Sequence, residues 1–319
     1  MATQWLRRAW LAAAGASVVL LAACGGGGDT ESELDPARIV VFGDAMADIG
    51  QNAGGTRYTV NDGKLNNWTL YVAEAFGNEL ATERSGGTSW AVGNARVAKT
   101  PGAAGDTAAQ TVVQQVDEFL AGDAPGANDL ILLNAGHSDI IVNALAVFEG
   151  SQTEAEAIAA VTKAGEELGG QVRRLVEAGA RHVVVAGAYN LGRSPWAKDR
   201  NAEPFLEEIS RKFNDGFKVV AADLGETVLY VDFPEQVNRY EGAPGAYAFE
   251  EVERPVCNSR NPGAGIGTGT NQIDSSQCTR STLINERYDA YLFADRVYLT
   301  PRAHRLLGEY FVSRVRNRW

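Results

Sequence analysis

Arg38-Ile39-Val40-Val41-Phe42, followed directly by Gly43-Asp44-Ala45-Met46-Ala47-Asp48-Ile49-Gly50, is the stretch that decides the fold. Ile39 to Phe42 leave no polar face for water, which marks a strand buried on both sides, as in a parallel sheet. Gly43 ends the run, and Asp44 and Asp48 carry short carboxylates suited to bonding the free N–H groups of a turn. The same brief apolar type returns at Leu130–Leu133, His182–Ala186 and Val228–Val231. Helical spacing fills the intervals, over Asn67–Phe76, Ala108–Leu120, Glu154–Ala178, Pro204–Leu224 and Pro301–Arg316. In the third of these, Ala157, Val161, Ala164, Leu168, Val172 and Leu175 recur at spacings of three and four, one buried helix face. Strands alternating with helices predict an α/β fold, a three-layer α/β/α sandwich around a central parallel sheet, built by one domain over residues 38–319. Ligands of such sheets collect beyond the carboxyl ends of the strands.

The front of the chain reads differently. Arg7 and Arg8 precede an apolar run from Ala9 to Ala23, too short to span a bilayer and of signal-peptide length. The run ends in Leu21-Ala22-Ala23-Cys24, which resembles the bacterial lipobox. That resemblance implies removal of residues 1–23 and a lipid on Cys24. Several acyl chains on one residue anchor durably where one would not. Residues 24–37, rich in glycine and then acidic, read as a flexible tether. The expected location is the bacterial cell envelope, with Gly25 beside the anchor pointing to the outer membrane.

With 29 basic against 40 acidic residues the net charge is −11, which argues against a nucleic-acid partner. No basic amphipathic stretch offers itself to lipid head groups, so membrane contact is expected through the anchor alone. Beyond Cys24 there remain Cys257 and Cys278, in a Gly/Asn/Ser-rich segment, and three histidines. In an oxidising compartment the two cysteines are expected to form one disulfide. Neither a metal site nor a cofactor is expected from this set.

Four blocks stand in order around the strand ends. They are Gly43 to Gly50; Gly86-Gly87-Thr88-Ser89-Trp90-Ala91-Val92-Gly93-Asn94-Ala95; Asn134-Ala135-Gly136-His137-Ser138-Asp139; and Phe293-Ala294-Asp295-Arg296-Val297-Tyr298-Leu299-Thr300-Pro301. Together they resemble the GDSL, or SGNH, hydrolase family of lipases and esterases, with its flavodoxin-like sheet, across about residues 38–316. The turn Asn190-Leu191-Gly192-Arg193-Ser194-Pro195 is similar to a family segment too.

The resemblance implies a nucleophilic serine in the first block, a histidine base in the last, and an aspartate three residues before it. It also implies oxyanion donors from the first three blocks. The serine position holds Ala45 and the histidine position holds Tyr298, whose phenol is a poor base near neutral pH. The oxyanion asparagine position holds Ser138. Gly93 and Asp295 are kept, and a hydrogen bond from Tyr298 to Asp295 is the natural replacement for the lost imidazole. His137 is the better of two substitute candidates, against the alternative of a solvent-facing loop residue. His304 is the poorer, since six helical residues carry it about 9 Å from Tyr298, facing away. His182 reads as a satisfied residue at a strand edge. Three functions follow: a non-catalytic binding protein for an acyl ester, glycan or envelope protein; an active ester hydrolase with a rearranged site; and an envelope scaffold.

Overall fold

The computed structural model describes residues 34–52 and 54–319. Cys24, the signal segment and most of the tether lie outside the described residues. Four strands, β1 (Arg38–Gly43), β2 (Asp129–Asn134), β3 (His182–Ala186) and β4 (Val228–Val231), form a parallel sheet in that order. Val41 pairs with Leu132, Leu132 with Val184, and Val184 with Leu229. On the free side of β1 the chain at 88–92 adds a short parallel partner. There the Val41 N–H donates to Thr88 O at 3.0 Å and the Trp90 N–H to Val41 O at 2.7 Å. A segment later in sequence than β1 thus lies on one side of it and β2 on the other. The chain reverses its winding at β1, where open parallel sheets place their ligands.

Eight helices were assigned among the described residues: α1 (Trp68–Ala75), α2 (Val112–Gly122), α3 (His137–Phe148), α4 (Glu154–Glu177), α5 (Pro195–Arg200), α6 (Glu203–Ala221), α7 (Phe233–Gly242) and α8 (Pro301–Arg316). They cover both faces of the sheet. On one face Phe119 of α2 meets Phe42 of β1 edge-on, their ring centroids 5.4 Å apart. On the other, Trp68 of α1 packs against Phe233 of α7 at 5.1 Å and Phe311 of α8 at 5.0 Å. Every member of the expected face of α4 is buried.

The four strands and five of the helices, α1, α2, α4, α6 and α8, lie where the sequence places them, and the ends differ for local reasons. The expected helix at Ala108 begins at Val112, because Thr111 and Gln114 form a reciprocal capping box that satisfies first-turn N–H groups and fixes the start. Helix α3 was missed because Ile140, Ile141, Val142, Ala144, Leu145, Ala146, Val147 and Phe148 make it apolar nearly all round, which erases the period. Helix α5, with six residues, is too short for a periodic signal, whereas α7 buries Phe233, Gln236, Val237 and Tyr240 at helical spacing, a pattern present in the sequence but missed there. His182 is not at an edge: β3 lies between β2 and β4, and the ring packs edge-on to Trp319 with centroids 5.0 Å apart.

Residues 250–294 leave the layered body. Arg260–Asn261 and Gln272–Ile273 form a two-residue antiparallel ladder, β5 and β6. Beside it Cys257 and Cys278 form the expected disulfide, with Cα atoms 5.8 Å apart.

Candidate functional site

The four sequence blocks converge where β1 and β2 end. Gly43 is held there by Gln115 of α2, whose amide accepts the Gly43 N–H and donates to the Gly43 carbonyl, both at 2.9 Å. Asp44 follows. Its Oδ1 accepts the Met46 N–H at 3.1 Å and its Oδ2 accepts the His137 N–H at 2.8 Å. The second bond matters for α3, whose N-cap, Gly136, has no side chain and a φ of +114°. A carboxylate from another loop supplies the missing cap at the positive end of the helix.

His137 is fully buried rather than solvent-facing. Its Nδ1 lies 3.3 Å from Asp44 Oδ2, and its Nε2 accepts the Tyr189 N–H at 3.3 Å. In the neutral ring one nitrogen donates and the other accepts, so both are engaged. An acid–base role needs a free lone pair facing a substrate, and His137 has none.

The Gly93 donor is committed in the same way. Asp48 Oδ1 accepts the Gly50 and Gln51 N–H groups at 2.8 and 2.7 Å, and its Oδ2 accepts the Gly93 N–H at 2.8 Å. The turn-bonding expected of Asp44 and Asp48 is therefore present, but Asp48 also takes the donor that Gly93 was expected to offer an oxyanion. Burial pushes the Asp48 carboxyl up to about 6 against these three bonds. Above Gly93 sits Tyr58: a Cβ on Gly93 would fall 2.2 Å from the Tyr58 ring and hydroxyl. Ser138 Oγ is buried without a hydrogen-bond partner.

Asp295 Oδ1 accepts the Val297 and Tyr298 N–H groups at 2.7 and 2.6 Å, and Oδ2 accepts the Ser275 N–H at 3.0 Å. The expected bond to Tyr298 is thus made to its backbone and not to its phenol. The Tyr298 hydroxyl is fully buried and unpartnered. Its ring packs between Tyr58, with centroids 5.2 Å apart, and His137, at 6.5 Å. Burial, with Asp44 nearby, pushes the phenol well above its ordinary range, the wrong direction for a base. Burial likewise raises Asp295 to about 6.

Ala45 is 1% exposed. The structure therefore brings Ala45, Gly93, His137, Ser138, Asp295 and Tyr298 together, but in a filled centre. Sequence reasoning missed four of its parts: Gln115, Tyr58, Tyr189 and the Arg96–Asp139 ion pair. Gln115 had a readable signal, a polar residue on the apolar stripe of Val112, Val116 and Phe119. Tyr58 had none, since it lies in a loop.

A model of the GDSL-like lipase/acylhydrolase family matches residues 39–311. The chain belongs to that family. The anther-specific proline-rich protein APG of Arabidopsis thaliana is similar, 27% identical over 151 residues, 44% of this chain. The match spans about a quarter of that protein, 26% of its length. A G-D-S-L family lipolytic protein from Veillonella parvula is similar at 12% identity and a TM-score of 0.43, over 86% of this chain and 96% of its own. A putative arylesterase from Agrobacterium tumefaciens gives 14% and 0.45, over 88% and 99%. The native M. smegmatis aryl esterase gives 14% and 0.46, again over 88% and 99%.

His304, the last candidate, is a structural part of this GDSL-family domain. It lies in α8, buried, with Nδ1 accepting the Trp68 N–H at 3.3 Å. Burial lowers its pKa to about 3, so the ring stays neutral in the fold. Below about 6.5 the unfolded chain takes a proton on this imidazole that the folded chain refuses. Its contribution is thus complete above 6.5 and lost as pH falls toward 3. Asp48 and Asp295 act in the opposite sense, since raised carboxyls favour the fold below 3.8 and lose that advantage as pH rises through 6. The imidazole can be isolated by comparing wild type with His304→Gln in urea unfolding. The wild-type advantage should shrink by about 1.4 kcal/mol per pH unit between 6.5 and 4.5. A constant difference would mean that His304 titrates normally.

Proposed function

We propose that this GDSL-family protein is exported, held at the bacterial envelope through a lipid on Cys24, and binds rather than hydrolyses. One observation carries the non-catalytic reading: Ala45 stands at the serine position beside an Asp44–His137 pair whose ring nitrogens are both engaged. No adjacent base is left to activate a nucleophile, and no nucleophile is there to activate. The domain, residues 38–319, then serves as a receptor for an acyl ester, glycan or envelope protein, or as a scaffold. The rearranged-hydrolase alternative drew on His137 or on a directly attacking water, and the buried, doubly bonded ring of His137 speaks against the first.

The purified protein should show no turnover of short- or long-chain acyl esters above the level of Asp295→Ala and His137→Ala variants. It should take no label from a fluorophosphonate serine probe. Turnover that disappears in those two variants would establish a working site and end this reading. The anchor is tested separately: wild type should partition into the detergent phase and Cys24→Ala into water. Equal partitioning would remove the lipid from the proposal.

A further inference from the structure

The segment around the disulfide forms a satellite core, in which Cys257 and Cys278 pack with Val60, Val256, Tyr288 and Ala294. Between the two cysteines, Ile266 belongs elsewhere. Ile266 is fully buried and joins the main core of the domain. It is carried there by Gly263-Ala264-Gly265-Ile266-Gly267-Thr268-Gly269, in which every second residue is glycine. Gly265, Gly267 and Gly269 have φ of +56°, +87° and +127°, a region that side chains disfavour. The arm is pressed on the body so closely that a Cβ at Gly267 would come 2.8 Å from Ala104 N and 3.1 Å from Ile141 Cγ2. Ile141 lies one helical turn from Ser138, on the same side of α3. Asn94, next to Gly93, reaches the Gly265 carbonyl through Nδ2 at 3.5 Å. The arm thus lies against the loop that carries Gly93 and against α3, which carries Ser138.

Shape holds the arm, more than hydrogen bonds do. The Gly267 N–H donates to Ala264 O at 2.8 Å, the Asn271 N–H to Gly263 O at 3.2 Å, and the Gly263 N–H to Asn261 Oδ1 at 2.9 Å. All three stay within the arm and its base. Thr268 Oγ1 is buried without a partner. The base is firm by contrast, with β5 paired to β6 and Asn261 Nδ2 donating to Asp274 Oδ2 at 2.8 Å. The arm is therefore held to the body mainly by packing at Ile266 and Gly267, and local opening there would leave the β5–β6 base paired.

We propose that Gly263–Gly269 is a tethered plug: Ile266 sits at the mouth of the family cleft as a built-in ligand, and the arm swings out on its β5–β6 base to admit an external one. The proposal rests on reading the site as a cleft that holds a ligand. A competing ligand then binds with its affinity reduced by the fraction of molecules that are open.

Hydrogen exchange on the intact protein tests this without any substitution. Arm amides should exchange at least about tenfold faster than those of β1 and β2, through local opening. Gly267→Ala, which crowds Ala104 and Ile141, should raise exchange in the arm and the first turn of α3 and leave β1 and β2 unchanged. If wild-type arm amides exchange only at the rate of β2, the arm is permanent core and the plug is overturned. Ester turnover appearing in Gly267→Ala would instead remove the non-catalytic reading and leave the plug standing.

Discussion

The triple variant Ala45→Ser, Ser138→Asn, Tyr298→His should fold and remain inert, with ester turnover within about tenfold of wild type. A complete triad acts as a unit, worth roughly a million-fold in subtilisin, so restoring its members would give a large gain if the rest of the site were ready. It is not ready. The Gly93 N–H, needed 2.7–3.1 Å from a developing oxyanion, is spent on Asp48 Oδ2 at 2.8 Å. The ring of Tyr58 fills the space against Gly93, and position 45 is sealed from solvent. A new serine would have neither a carbonyl to attack nor a hole to stabilise the product of attack. Adding Tyr58→Ala, which clears that space, is the step at which activity should first rise. A gain of about a thousand-fold or more in the triple variant alone would mean that the site is open in solution and that only the missing side chains hold it silent.

The second large effect concerns stability. Asp139 on α3 accepts Arg96 Nε at 3.1 Å through Oδ1 and the Val97 N–H at 2.8 Å through Oδ2. The carboxylate is buried and the guanidinium nearly so. Burial raises the Asp139 carboxyl while Arg96 and the Val97 N–H oppose the shift. Asp139→Ala leaves a cation and a backbone donor without partners in a dry place, which costs about 3–5 kcal/mol. Arg96→Met with Asp139→Leu should cost less than either single loss, because no charge is stranded. Urea unfolding of wild type, Arg96→Met, Asp139→Leu and the double variant gives the coupling directly. A cost for Asp139→Ala below about 1 kcal/mol would mean that the pair does not tie the 94–97 loop to α3.

The sheet was legible because its strands are short, apolar on both faces and bounded by glycine or polar residues. The site was legible as a set of positions, since four blocks in order fix where a family centre must lie. Its state was not. That Gly93 donates to Asp48, that His137 spends both nitrogens, and that Tyr58 fills the space all depend on contacts between residues 35 to 93 positions apart. A single glycine or tyrosine in a sequence carries no mark of such partners. Asp295 illustrates the limit: its retention suggested a bond to the Tyr298 side chain, whereas its oxygens hold the backbone of the turn. The plug was hidden for a similar reason, because alternating glycines read as a loop until the burial of Ile266 is seen.

The pairing of α1 with α8 bears on the order in which this chain can assemble. Trp68 is enclosed by Phe311, the Trp68 N–H finds its acceptor on His304, and a Cβ on Gly308 would fall 2.7 Å from the Cβ of Tyr71. Helix α1 is translated well before α8, its cover. Until residues 301–316 have been made, this face of the sheet lacks α8, and Trp68 has Phe233 but neither Phe311 nor the acceptor on His304. Pairings between distant parts of a chain also form late and slowly. The packing of α1 is therefore completed only when the chain has been made as far as α8, long after the strands it covers.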